Sequence, residues 1–497
     1  LLYGLNRILE NGAAKFSSAV AFRDLNGNFV SYAQLLLQAK NTGEFLLTNG
    51  VGEGDRVGII GSKSIAYVTA MFGVMSCKAA YIPIDVNAPL LRNMSVIEDC
   101  NLKAVLISNK EVEKYEAAFS PSRDYNKIHF DEEFSLMVFK HKTKSHKENL
   151  SYILYTSGST GVPKGVMHTH ESALAFINWS VETFKPNSAD VFCSNAPFHF
   201  DLSVFDLFVP LCVGASVVLF DVSVTSNPLR LSCELSQNKI SFFYSTPTTL
   251  TYMHTYGKLN RYSYSSLKCV LFAGEIFPIS DLRKIKEIWH DAKFHNLYGP
   301  TETNVCSYYI IPDEISKEQI DPFPIGKACS FAFLKINGPQ AKGELLVAGS
   351  SVMSGYWNDP DKTREAFKAD DEKLWYKTGD IVSVNSQGDF IYVGREDRMV
   401  KRRGYRIELA EIETVLCKHP DILLAAVCDG IDDTNSTEII AHVALKKGCT
   451  LSEADLYQYC KIELPGYMTP DRFKFHKQLP LTSTHKIDYK TLSSVYD

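Results

Sequence analysis

The sequence predicts an α/β protein: a large N-terminal part of mixed sheets and helices, followed by a small, mobile α+β domain. Three observations lead there. Strand and helix signals alternate from residue 20 onward, the rhythm of a largely parallel sheet covered by helices. At 497 residues the chain exceeds one ordinary core, so two or more domains are expected. In GREDRMVKRRGYRIELAEIE (394–413) charge becomes dense beside flanking glycines, and a segment of different character follows. We read that stretch as a hinge between domains 1–396 and 397–497.

The elements follow in order. VAFR (20–23) and FVSY (29–32) flank NGN, a hairpin signal. YAQLLLQAKNTGEFLL (32–47) reads as a helix that stops near Gly50. RVGIIG (56–61) reads as a buried strand, SIAYVTAMFGVMSCKA (64–79) as a largely buried helix, and YIPID (81–85) as strand again. KHKTKSHKEN (140–149) is a basic run, read as a solvated loop before the strand YILYT. Beyond the hinge, LLAAVC and IIAHVAL read as strands, and LAEIETVLC and EADLYQYCKIE as helices.

Composition removes several classes of function. The chain is 45% apolar and 22% charged with a net charge of −5, which argues against a general nucleic-acid or anionic-membrane surface. Twelve cysteines without a C-x-x-C pair argue against a zinc site or a disulfide framework and fit free thiols in a reducing cytoplasm. The longest apolar stretch, 204–220, is broken by Asp206, Pro210 and Gly214, so no membrane span is expected. Leu rather than Met stands first, which leaves a preceding or cleaved segment open.

Chemistry concentrates in a few loops. TSGSTGVPKG (156–165) follows an apolar run and combines glycines, hydroxyls and Lys164, the materials of a phosphate-binding loop. It is not the common G-x-x-x-x-G-K-[ST] loop, because Gly158 and Gly161 are too close and Gly165 follows the lysine. NLYGPTETNV (296–305) has a tight Gly-Pro turn before Thr301 and Glu302, a hydroxyl and a carboxylate that suit a phosphate and its Mg²⁺. YKTGD (376–380) places Asp380 at an expected strand-to-turn position. YVGRED (392–397) offers an aromatic face, Arg395 and Asp397, and THKID (484–488) carries Lys486. Each alone is also compatible with a surface turn.

In this order the motifs YTSGSTGVPKGV, FDLSVFD, NLYGPTET, GELLVAG, YKTGD, GREDRMVKRRGYRIE and HKID resemble the adenylate-forming superfamily. The likeness is greatest to the amino-acid-activating adenylation domains of nonribosomal peptide synthetases, and it spans nearly the whole chain. It implies a large N-terminal adenylation core and a mobile C-terminal domain carrying the catalytic lysine. It also implies the reaction: a carboxylate attacks the α-phosphate of ATP, with Mg²⁺, to give an acyl-AMP and pyrophosphate. By resemblance, ATP is held by Thr156, Ser157, Gly158, Ser159, Thr160, Gly161, Lys164, Gly274, Glu275, Asn296, Tyr298, Asp380, Tyr392 and Arg395. The resemblance assigns catalysis to Lys486, Thr301 and Glu302, with Glu302 on the metal. Asp397 becomes the hinge on which the small domain swings, and Gly404 leaves room for a phosphopantetheine arm. One departure is that His485 stands where the family has Gly before the lysine.

The substrate reading follows from the same likeness. The resemblance places a pocket at Asp201, Leu202, Phe205, Tyr244, Leu271, Ala273, Leu297, Val305, Cys306 and Lys486. Asp201 would bind an α-ammonium, although the residues alone also allow it as the N-cap of a helix through DLSVFDLF. The rest of the lining is mostly apolar, and Phe205 and Tyr244 are bulky, so a small, compact, apolar amino acid is implied. The pattern resembles freestanding L-proline–carrier-protein ligases of pyrrole and anatoxin-type pathways. The expected partners are L-proline and a separate phosphopantetheinylated carrier protein, with the enzyme a monomer or weak dimer. The alternatives are a ligase for D-alanine or valine, a carboxylate–CoA ligase, or a non-catalytic adenylate-binding protein.

Overall fold

The computed structural model describes residues 4–119, 124–140, 149–158, 163–338, 341–370, 372–395, 398–432, 436–480 and 487–493. Ser159, Thr160, Gly161, Asp397, His485 and Lys486, and most of the basic run 140–149, lie outside the described residues. The chain forms two compact units. One is Leu1–Val86, Ile97–Leu154 and Gly165–Gly394; the other is Asn87–Val96, Tyr155–Lys164 and Arg395–Asp497.

The larger unit carries a nine-stranded sheet with six parallel strands at its centre. Their order is Lys293–Tyr298, Cys269–Ala273, Phe242–Ser245, Val191–Ser194, Ser216–Leu219 and Val20–Arg23. Antiparallel strands flank them. One belongs to the expected hairpin, Val20–Arg23 with Phe29–Ser31, whose turn is held by Asp24 accepting from the amides of Asn26 and Asn28. An eight-stranded sheet centres on Leu150–Thr156, Ala80–Ile84, Arg56–Ile60 and Ala104–Ser108, again parallel. Ala80–Ile84 and Arg56–Ile60 are buried at every position, as strands covered on both faces must be.

Local chemistry sets the helices. Tyr32–Thr48 starts at a capping box between Ser31 and Gln34, and Ile65–Ser76 at Ser64, which accepts from the Tyr67 amide. These two helices pack through glycines. A Cβ added at Gly73 would lie 2.5 Å from Thr42, so only hydrogen permits the approach. The apolar stretch 204–220 resolves into the helix Leu202–Val213 and the strand Ser216–Leu219, joined through Gly214 at φ 81°. No described helix is long and apolar enough to cross a membrane. All twelve cysteines are free thiols, and only Cys417 is exposed.

A five-stranded sheet of the larger unit contains Lys342–Gly349 paired with the long strand Lys373–Val384. In the smaller unit, Ile422–Ile431 pairs antiparallel with Thr437–Leu445, which runs parallel to Arg472–His476. The helices Leu409–Cys417 and Glu453–Glu463 pack with them around a separate core that includes Ile412, Val427 and Leu456. All four segments expected beyond residue 398 are therefore formed.

The sheet that positions the site depends on an aromatic core. Phe192 is fully buried and stacks on Phe242 at 4.5 Å, with Phe205 at 5.7 Å. Phe192→Ala is expected to cost about 3–5 kcal/mol, read as a lower urea midpoint in circular dichroism.

Candidate active site at the ends of the parallel strands

The C-terminal ends of open parallel strands are where α/β folds build their sites. Here those ends lead into 195–201, Gly274 and the turn after Tyr298. Asp201 immediately precedes the helix Leu202–Val213, at the N-cap position, yet its side chain makes no capping bond. Instead its Oδ2 accepts a hydrogen bond from Thr301 Oγ1 at 2.8 Å, across a hundred residues of sequence. Burial pushes the Asp201 carboxyl above the ordinary carboxylate range; the Thr301 bond opposes the shift and the nearby Glu302 charge adds to it. Among the described residues no cation pairs with Asp201.

Thr301 and Glu302 sit on a single 3₁₀ turn, Thr301–Thr303. Gly299 makes the turn possible: a Cβ there would come 1.8 Å from the Asn304 carbonyl oxygen. Glu302 is fully buried, and its Oε1 accepts from the Tyr356 hydroxyl at 2.7 Å. The Thr301 carbonyl lies 2.8 Å from His168 Nε2. Burial drives the His168 pKa down to about 4, so the ring is neutral, and its proton sits on the nitrogen facing that carbonyl. The sequence reading missed His168 and Tyr356. Each lies in an unremarked strand, and only the fold brings it to the turn.

Asp380 is fully buried, but not at the expected strand-to-turn position. It lies inside the twelve-residue strand Lys373–Val384, where the register with Lys342–Gly349 slips between Glu344 and Leu346. The cause is a bulge at Thr378-Gly379-Asp380. Gly379 has φ 71°, and Thr378 Oγ1 donates to the Leu345 carbonyl and accepts from the Asp380 amide. A bulge re-aims one side chain, and here that side chain accepts a hydrogen bond from the Tyr298 hydroxyl. Burial first, then the Asp380 charge, raises Tyr298 well above the usual phenol range.

Thr301 thus bonds Asp201, Tyr298 bonds Asp380 and Tyr356 bonds Glu302, three pairs that meet on the short segment 298–302. Other predicted nucleotide residues bond elsewhere: Asn296 Nδ2 donates to the Pro324 carbonyl at 2.8 Å, and Glu275 accepts from the Thr248 amide and hydroxyl. Gly274 takes φ 96°, and Tyr392 is half-buried against the main core. Leu202, Phe205, Tyr244, Leu271, Ala273, Leu297, Val305 and Cys306 are all buried in one apolar cluster, with Phe205 edge-on to Tyr244 at 5.5 Å. Burial alone is what any core shows; Asp201 at its margin is what distinguishes this wall.

The smaller unit holds the rest. Ser157 Oγ donates to the Arg406 carbonyl at 2.6 Å, and the Gly158 amide donates to the buried Glu411 carboxylate. Thr156 Oγ1 is buried with no hydrogen-bond partner among the described residues. Lys164 opens the strand Lys164–Thr169, and Arg395 is half-buried. Arg403 and Gly404, at φ 52° and 79°, form the two-residue turn between Met399–Arg402 and Tyr405–Glu408, so Gly404 has a conformational role of its own. No cluster of three or more His, Cys, Asp or Glu that could hold a metal occurs among the described residues.

Comparison with known proteins bears on this arrangement. Residues 9–357 match the AMP-binding enzyme family, and residues 411–486 match the AMP-binding enzyme C-terminal domain. An L-proline–[L-prolyl-carrier protein] ligase of Pseudomonas fluorescens is 34% identical, covering 92% of this chain and 93% of the relative. A second ligase of that name, from Streptomyces coelicolor, is 30% identical over 98% and 95%. Among solved structures, the amide bond synthetase McbA from Marinactinospora thermotolerans superposes with a TM-score of 0.85 at 20% identity, covering 99% of this chain and 100% of that one.

The raised pKa of Asp201 has a thermodynamic consequence. The folded chain holds that proton more tightly than the unfolded chain, so the group's contribution to stability falls as pH rises from about 4 through the folded pKa. Asp201→Asn removes that cost while keeping an acceptor for Thr301. In scanning calorimetry without substrates it should unfold at a higher temperature than wild type at pH 7, with the gap closing toward about pH 4.

Proposed function

The chain belongs to the AMP-binding enzyme family, and from that premise we propose that it activates L-proline with ATP and loads the prolyl group onto a carrier protein. In the first step a proline carboxylate oxygen attacks the α-phosphorus, the P–O bond to the β-phosphate breaks, and prolyl-AMP and pyrophosphate form. In the second, the phosphopantetheine thiolate of a separate carrier attacks the prolyl carbonyl and AMP leaves. Little covalent help is needed; the protein supplies alignment and neutralised charge.

The observation that carries the reading is Asp201, a carboxylate at the edge of an apolar wall, oriented by Thr301 and lacking a cationic partner among the described residues. A buried carboxylate is costly until a cation meets it, and the ammonium of an amino acid is such a cation. Acids without an amine offer nothing to pair there. Proline's secondary ammonium still supplies two N–H donors, and its ring suits the wall of Phe205 and Tyr244. The two prolyl-carrier ligases, aligned along nearly their whole length, support the same substrate and acceptor.

The remaining residues take roles by family likeness. Asp380 and Arg395 hold the ribose, Asn296, Tyr298 and Tyr392 face the adenine, and 156–164 receives the β- and γ-phosphates. Lys486 bridges the substrate carboxylate and α-phosphate, and the small domain swings at Asp397 for the second step. The buried Glu302, its orientation set by Tyr356, fits a Mg²⁺ that takes most of its ligands from phosphates and water, as that ion prefers. Mg²⁺ would neutralise phosphate charge there. The free thiols agree with a reducing cytoplasm as the setting.

The test is a loading assay with ATP, Mg²⁺, L-proline and a phosphopantetheinylated carrier, read by mass spectrometry. A prolyl thioester on the carrier is expected; transfer to free coenzyme A alone would contradict the acceptor. Lys486→Ala should slow adenylation by about 10²–10³ and spare transfer from preformed prolyl-AMP, and equal loss of both would contradict the swing. Asp201→Ala should weaken proline binding by about 3 kcal/mol in isothermal titration, with ATP binding retained.

A further inference from the structure

Two oppositely charged side chains, Lys63 and Asp206, hold the segment that leads from the strand Val191–Ser194 to Asp201. Lys63 follows the strand Arg56–Ile60 of the eight-stranded sheet. Its ammonium crosses to the nine-stranded sheet, donating to the Ser194 and Ala196 carbonyls at 2.7 Å each and to Ser194 Oγ at 3.3 Å. It also lies 5.3 Å from the centre of the Phe198 ring. Asp206, buried in the helix Leu202–Val213, holds the same segment: its Oδ2 accepts from the Asn195 amide at 3.2 Å. Burial pushes Asp206 up and Lys63 down, and each charge opposes the other's shift.

The segment Ser194–Ala196 is therefore held by two of its carbonyls and by the Asn195 amide. It is also pinned laterally, since Asn195 Nδ2 donates to Ser245 Oγ at 3.0 Å, next to Tyr244. From Ala196 the chain reaches Asp201 through a short, tied path. The Phe200 amide donates to the Pro197 carbonyl, the Ser203 amide to Phe200, and Ser203 Oγ to Phe198. Asp206 holds the start of this path from the very helix that Asp201 precedes.

We propose that Lys63 and Asp206 are positioning residues for the amino-acid site, fixing where Asp201 meets the substrate ammonium. The inference rests on the functional reading above. Two backbone carbonyls and an amide of the three residues that feed the Asp201 loop are taken by two oppositely charged side chains, Lys63 just past a strand of the other sheet and Asp206 on the helix that Asp201 precedes. Neither residue contacts the nucleotide group built around Asp380 and Glu302, so their effect should fall on the amino acid alone.

The experiment is proline-dependent pyrophosphate exchange, measured as separate KM values for proline and ATP. Lys63→Met should raise the proline KM about 10- to 100-fold, the scale of a misplaced reacting group, and leave the ATP KM unchanged. Lys63→Arg, which keeps the charge and the donors, should restore most of the loss. Lys63→Met is left with a buried, unpaired Asp206 and could fail to fold, so the double variant Lys63→Met/Asp206→Leu is made beside it. Removing both charges recovers thermal stability, but the proline KM should stay high. A double variant with stability and proline KM both at wild-type values overturns the proposal, as does a parallel rise in both KM values. A wild-type chain that exchanges with other amino acids but not proline overturns the substrate and leaves the positioning test to run with that amino acid. A wild-type chain with no exchange at all overturns the functional reading, and the inference with it.

Discussion

The hydrogen bond from Thr301 to Asp201 is the contact on which the rest of the site depends. It takes the carboxylate that the local sequence would use to cap a helix and turns it toward a turn a hundred residues away. A carboxylate so placed is costly to the fold, because desolvation favours its protonated form. Under the proposed function that cost is pre-organisation: the group is held where a substrate ammonium would relieve it. The aromatic wall of Phe205 and Tyr244 is otherwise ordinary core, and it gains a chemical direction only from this charge at its edge.

Other contacts hold the Thr301 end of that bond. His168 fixes the Thr301 carbonyl, Tyr356 fixes the Glu302 carboxylate, and Gly299 lets the turn close on Asn304. On the same turn's approach, Tyr298 reaches the bulged strand that presents Asp380. A misplacement at any of these would be felt at the neighbours, because they share one short segment, 298–302. Buried hydrogen-bonded groups of this kind behave as a unit.

Much of this was legible in the sequence, for identifiable reasons. The N-terminal hairpin, the helices 32–48 and 65–76, and the four elements of the small unit came from periodicity and turn residues, which are local signals. Thr301, Glu302, Asp380 and Asp201 were legible as motif residues. What the sequence did not carry were the relations between distant segments. The bulge at Asp380 depends on Leu345 in the facing strand, and His168 lies 133 residues from Thr301. Lys63 was silent for the same reason: its partners at 194–196 come from another sheet. Asp201 was readable as a cap because its position is right; only the fold shows that its bond goes elsewhere.

The most direct test of the central claim is exchange of labelled pyrophosphate into ATP, run across the common amino acids and across simple carboxylic acids without an amine. A dominant signal with L-proline, and none with the amine-free acids, is the result this account requires. Exchange with an amine-free acid as strong as with any amino acid would contradict it, because Asp201 would then have no cation to meet.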